Sequence, residues 1–123
     1  MGAVEQGLHR AVMEGREVFK FASLKMPESV SVALSTNGLS TKDITLLVPH
    51  QANLRIIEMV RQATGLTEAQ VYANIQKYGN TTAASIPIAL HEALGEKRLK
   101  RGDLLVLTAF GSGFTWGSAA IRW

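Results

Sequence analysis

Residues 104–110, Leu-Leu-Val-Leu-Thr-Ala-Phe, form an almost unbroken apolar run that meets Gly111-Ser112-Gly113 and then a second extended span, 115–122. A run apolar at consecutive positions presents apolar side chains to both faces of a sheet, so it reads as a buried strand needing cover on both sides. The glycine-rich break joins it to residues 115–122 as a hairpin. Whatever else the chain does, it must provide helices to cover that sheet.

The remaining periodicities supply them. Residues 5–25 place Leu8, Val12, Val18, Phe19 and Ala22 at helical spacing, with a break or restart predicted at Gly15 and a second break at Pro27. From Glu28 the helical pattern resumes and stops at Asn37-Gly38. Residues 44–48 read as a short buried strand ended by Pro49. Asn53 can cap a helix running to about Thr64, where Gly65 supplies a left-handed stop. Residues 71–75 read as another short strand, 77–82 as a loop and 83–94 as a helix, with Pro87 tolerated near its start. The predicted order is α-β-α-β-α-β-β, a layered α/β architecture with helices on a mixed sheet. No internal repeat, low-complexity stretch or linker interrupts it, so residues 1–123 read as one domain.

With 123 residues, 46% of them hydrophobic, the chain can bury a core of its own. No apolar run approaches the length of a membrane span, and residues 1–14 carry charges where a signal peptide would be apolar, so a cytoplasmic location without membrane association is expected. A net charge of +3 is too mild for a nucleic-acid binder. His9 and His91 lack any ligand spacing, and with no cysteine a metal site is not expected. The missing cysteine also means that any covalent thioester chemistry needs a thiol from outside these residues.

Three segments carry chemistry: Pro49-His50-Gln51-Ala52-Asn53-Leu54-Arg55-Ile56, Gly79-Asn80-Thr81-Thr82-Ala83-Ala84-Ser85, and Phe110-Gly111-Ser112-Gly113-Phe114-Thr115-Trp116-Gly117. A neutral imidazole and a carboxamide are uncharged donors suited to an oxygen that becomes negative during reaction. His50 precedes a helix start, whose dipole disfavours imidazolium. Gly113 permits a backbone conformation that lets an N–H approach a ligand. Each has a plainer reading too: a hydrogen-bonded loop histidine, a turn asparagine, and a hairpin turn. The glycine turn lacks the strand-to-helix context of a phosphate loop.

Taken together, in this order, and with Met13-Glu14-Gly15-Arg16-Glu17-Val18-Phe19-Lys20 before them and Ala119-Ala120-Ile121-Arg122-Trp123 after, the segments resemble the C-terminal half of the β-ketoacyl-acyl-carrier-protein synthase III family, condensing enzymes with the thiolase fold. The resemblance implies an acyltransferase of fatty-acid biosynthesis performing a decarboxylative Claisen condensation. An acyl group from acyl-CoA is loaded on a cysteine and extended by malonyl-acyl carrier protein. His50 and Asn80 match the family's catalytic histidine and asparagine, which stabilise the malonyl-derived enolate. By the same resemblance Gly113 matches a second oxyanion donor, Phe19 matches a residue near the acyl channel, and Asn53 is expected near the pantetheine tunnel. Lys20 and Arg55 match a basic patch that receives acyl carrier protein.

No cofactor is implied beyond these substrates. The family's cysteine belongs to an N-terminal half that the resemblance does not reach, so this chain alone is expected to be inactive and to need that half as a partner. A non-catalytic module that binds carrier protein or self-associates is the alternative. Phe19, Phe21 and Met26 are the residues expected to expose apolar surface for homo-oligomer formation.

Overall fold

The computed structural model describes residues 2–10 and 12–123. Its longest helix, α1 (Gly15–Ser35), contains both predicted breaks. Gly15 opens the helix instead of interrupting it, and Pro27 rides inside. An interior proline costs roughly 3 kcal/mol. Against it stand Ala22, Met26, Val30 and Leu34, a stripe at four-residue spacing that is fully buried. Three of those side chains stabilise by about 1.5–3 kcal/mol each, so burial outweighs the lost hydrogen bond. Met26, expected on an exposed apolar face, is 1% exposed and belongs to the core, while Phe19 and Phe21 are half-buried.

The first part of the predicted 5–25 helix is not helical: residues 3–9 form turns. Val4, Leu8, Val12 and Met13 all lie exposed there, so helical spacing has no surface to bury against and the cost of nucleating a helix is not met. Ala11, within that prediction, is outside the described residues.

Strand β1 (Leu46–Pro49) pairs in parallel with β2 (Leu104–Gly111), and β2 pairs antiparallel with β3 (Thr115–Arg122). The register sets Pro49 opposite Thr108, and Gly111 opposite Thr115 across the hairpin. The sheet order is β1-β2-β3. Alternation along the strands divides the core. Leu47, Leu104, Val106 and Phe110 meet the α1 stripe and Ile56, Ile57 and Val60 of α2 (Leu54–Thr64). Leu46, Val48 and Leu105 face the other way, toward Ala89 and Ala93 of α4 (Ser85–Gly95). The Ser29 hydroxyl lies 2.6 Å from that of Ser118, which donates to Thr108 Oγ1 at 2.9 Å, so a line of hydroxyls joins α1 to β3 and β2.

The predicted strand at 71–75 shrinks to one isolated parallel bridge between Leu47 and Val71, and the short helix α3 (Ile75–Tyr78) takes up its end. Tyr72 N–H still donates to Leu47 O at 2.9 Å. The segment turns away where the Asn74 N–H is held by the buried Gln51 side chain. Helix α4 starts at Ser85 after a single 3-10 turn, Thr82–Ala84. Among the described residues no helix is long and apolar enough to cross a membrane.

Candidate active site

Because β1 and β2 run in parallel, the loops leaving Pro49 and Gly111 emerge on the same edge of the sheet, the edge where open α/β sheets place ligands. His50 is the first residue past β1. Its backbone N–H extends the ladder by donating to Thr108 O at 2.8 Å, so the ring's base is as rigid as the sheet.

Gln51, next in the chain, is 1% exposed, and its carboxamide is fully used. Nε2 donates to Pro49 O at 2.8 Å and to Tyr72 O at 3.2 Å, and Oε1 accepts the Asn74 N–H at 2.9 Å. This side chain stitches the histidine loop to the chain entering α3. Sequence reasoning passed over it. Its signal was a glutamine amid an apolar strand ending and a helix cap, a position where an amide is buried only when it serves backbone groups.

The second partner comes from α4. Ser85, 2% exposed, places its hydroxyl on His50 Nδ1 and accepts the Gln51 N–H at 3.1 Å. His50 Nε2 has no partner among the described residues. The imidazole is half-buried, and desolvation lowers its pKa below the usual 6.5. The ring is therefore neutral, in the direction expected at a helix start but by burial. A serine beside a histidine also suggests a nucleophilic pair. Ser85, however, is enclosed, receives a backbone N–H, and touches Nδ1 rather than the Nε2 that serves as base in such pairs.

Asn80 sits six residues past Asn74, in an exposed loop between α3 and the 3-10 turn. Its Oδ1 accepts the Thr82 N–H at 2.9 Å, which leaves the Nδ2 donors without a partner among the described residues. Thr82 holds φ at +52°, an unusual left-handed conformation for a β-branched residue. The approach to this loop is anchored from α4: Glu92 accepts from Asn74 Nδ2 at 3.0 Å, Lys77 Nζ at 2.5 Å and Tyr78 Oη at 2.5 Å. Those donors pull the Glu92 carboxyl down to about 2. Since Ser85 follows Asn80 by five residues and touches His50, one α4 start serves both loops.

Gly113 lies in the β2–β3 turn with φ +144°, and a Cβ there would meet the Thr115 backbone nitrogen at 3.1 Å. Glycine is required at that point. The turn is braced by rings: Phe114 packs on Phe110 at 5.0 Å and on Phe21 of α1 at 5.4 Å between centroids.

Phe19 and Arg55, expected to serve different ligands, are in contact, with the guanidinium 4.9 Å from the ring centroid. Lys20 is exposed, and its ammonium lies 6.0 Å from the centroid of the Phe21 ring instead. Asn53 caps α2 by accepting the Arg55 N–H at 2.8 Å. A concavity of about 420 Å³ lies apart from His50 and is lined by Ile57, Glu58, Arg61, Tyr72, Glu96 and Arg98 among others. Several of its polar groups are spent on one another: Arg61 holds Glu58 at 2.6 Å, and Tyr72, its hydroxyl pushed up to about 12 by burial and by Glu96, donates to Glu96 at 2.9 Å.

Comparison with known proteins places the chain in a family. Residues 34–123 match the family described as "3-Oxoacyl-[acyl-carrier-protein (ACP)] synthase III C terminal". The chain is 52% identical over 120 residues to a β-ketoacyl-acyl-carrier-protein synthase III of Roseiflexus sp. (strain RS-1), a match covering 98% of this chain and 36% of that protein. Among solved structures, the synthase III of Thermus thermophilus superposes with a TM-score of 0.91 at 48% identity, covering 93% of this chain and 36% of that one. The Aquifex aeolicus enzyme gives a TM-score of 0.89 at 48% identity, covering 91% and 36%. The chain thus spans a little over a third of the length of the relatives it matches. On the family match and the close superposition of its mixed sheet and helices, the chain belongs to the 3-oxoacyl-acyl-carrier-protein synthase III C-terminal family and has the corresponding part of the thiolase fold.

Proposed function

We propose that these residues form the decarboxylating, enolate-stabilising half of a condensing site that joins an acyl group from acyl-CoA to malonyl-acyl carrier protein in fatty-acid biosynthesis. The observation that carries the reading is the pair of uncommitted donors, His50 Nε2 and Asn80 Nδ2, on loops tied to one helix start through Ser85. As carbon dioxide leaves the malonyl thioester, the electron pair of the broken bond moves into an enolate. The thioester oxygen then carries the charge and is met by two neutral donors. The enolate carbon attacks an acyl thioester held on a cysteine outside these residues, and the thiolate departs. Gly113 N–H serves the tetrahedral oxyanion of that second step.

A neutral ring matters here. An imidazolium would bind the malonyl carboxylate in the ground state, whereas a neutral donor favours the charge only as it develops. Phe19 and Asn53 stand on the substrate side, and Arg55, held on the Phe19 ring, offers acidic carrier protein a preorganised cation, with the exposed Lys20 of the same patch on α1. Association through that patch should weaken as salt rises.

The test is condensation of acetyl-CoA with malonyl-carrier protein, by this chain alone and mixed with a cysteine-bearing N-terminal half. Activity in the mixture only, abolished in both His50→Ala and Asn80→Ala, is the expected result. An assembled mixture without activity would leave the carrier-binding module in its place.

A further inference from the structure

The hydroxyl of Ser85 has one proton and two lone pairs. One lone pair takes the Gln51 N–H at 3.1 Å, and among the described residues the only other partner is His50 Nδ1. Two arrangements of that contact are chemically possible. If Nδ1 carries the ring proton, it donates to Ser85, and the hydroxyl proton is left without an acceptor in a position 2% exposed. If Nδ1 is bare, the hydroxyl donates to it, and every polar atom of Ser85 is satisfied. A stranded buried donor shifts such an equilibrium by on the order of tenfold or more.

We infer that Ser85 is a positioning residue that holds His50 in the Nε2–H tautomer, so that the ring presents a hydrogen-bond donor at its unpartnered nitrogen. The inference rests on the donor role proposed for His50 and names the group that creates it. Without Ser85 the ring is free to exchange tautomers, and the fraction with a proton at Nδ1 presents a bare lone pair at Nε2, repelling an oxyanion.

The same contact works against protonation. An imidazolium carries a proton on Nδ1, so the Ser85 hydroxyl would have to turn away into enclosed surroundings. The backbone of Gln51 prevents the serine oxygen itself from moving, since its N–H grips that oxygen from the strand side. Position 85 is the first residue of α4, and Pro87 follows two residues later, so the serine is mounted on a helix start and not on a loose loop.

The tautomer can be read without any catalytic assay. The chain has three histidines, so long-range 1H–15N spectra of the 15N-labelled chain at mildly alkaline pH resolve each ring, with His50 assigned from His50→Gln. A protonated Nε2 and a pyridine-like Nδ1 at His50 are expected. A Nδ1–H ring, or an averaged pair of nitrogens, would overturn the inference. Ser85→Ala should move the ratio tenfold or more toward Nδ1–H, and Ser85→Thr, which keeps the hydroxyl, should restore the wild-type pattern. An unchanged tautomer in Ser85→Ala counts equally against it. The condensation assay can fail while this tautomer stands, and the tautomer can be wrong while condensation proceeds, so the two readings fail separately.

Discussion

Gln51 Oε1 accepts the backbone N–H of Asn74 at 2.9 Å, across 23 residues of chain, and so fixes the histidine loop to the segment that leads into the asparagine loop. Replacing Gln51 with leucine would strand that N–H and two carbonyls. Leaving buried backbone groups unsatisfied costs about 1–3 kcal/mol, so Gln51→Leu should lower unfolding free energy by about 2–3 kcal/mol in a urea titration. A change near zero would show that the stitch is dispensable.

Glu92 predicts an acid-sensitive loop. Its carboxyl sits at about 2 in the fold against an ordinary 4.5, so the folded chain binds fewer protons than the unfolded one between those values. The stability this provides is complete above about 4.5 and is lost as pH falls toward about 2. Glu92→Gln should flatten part of that decline in stability-against-pH curves. The remainder belongs partly to Glu58, held at about 2 by Arg61 and Gln62. In hydrogen exchange, Glu92→Gln should speed opening around residues 77–82 more than elsewhere; uniform change would contradict the anchoring role.

His50 acts in the same sense at higher pH. Burial lowers its folded pKa below 6.5, so on acidification the unfolded chain takes up its proton first. Stability should therefore rise with pH through the interval beneath 6.5 and level off above it. A proton NMR titration should place the His50 midpoint below 6.5, and a midpoint at or above it would refute the desolvated ring.

Lys97 offers a stabilising change. It follows α4 with φ +57°, while Lys97 and Arg98 N–H groups close the helix end on Leu94 O at 3.0 Å and Ala93 O at 2.9 Å. Its side chain is exposed. Glycine removes the left-handed penalty at this kind of helix end, so Lys97→Gly should stabilise by about 1 kcal/mol in thermal or urea unfolding. Thr82, at φ +52°, carries a similar strain beside Asn80. Thr82→Gly is expected to stabilise less and to cost activity in the assembled enzyme, because the same freedom loosens the asparagine. Equal activity for the two variants would count against a functional role for that strain.

Several features were plain in the amino-acid order. The apolar runs at 44–48 and 104–110 became adjacent buried strands, Asn53 caps α2, Gly65 closes it at φ +69°, and residues 115–122 return as a hairpin. These rest on alternation, capping and backbone freedom, which act within a few residues. The order of motifs also marked His50, Asn80 and Gly113 before any geometry existed.

What the sequence by itself determined, then, is most of the strand-and-helix framework and the family to which the chain belongs. The tertiary structure alone decided that Pro27 stays inside one helix, that Met26 is core, that residues 71–75 yield their strand to α3, and that Ser85, Gln51 and Glu92 set the posture of the site. The physical reason is range. A proline's penalty is overridden by a stripe buried against a sheet more than 70 residues away in sequence, from Val30 to Val106. A buried polar group is satisfied by whatever donor the fold brings to it, here 35 residues from His50 to Ser85.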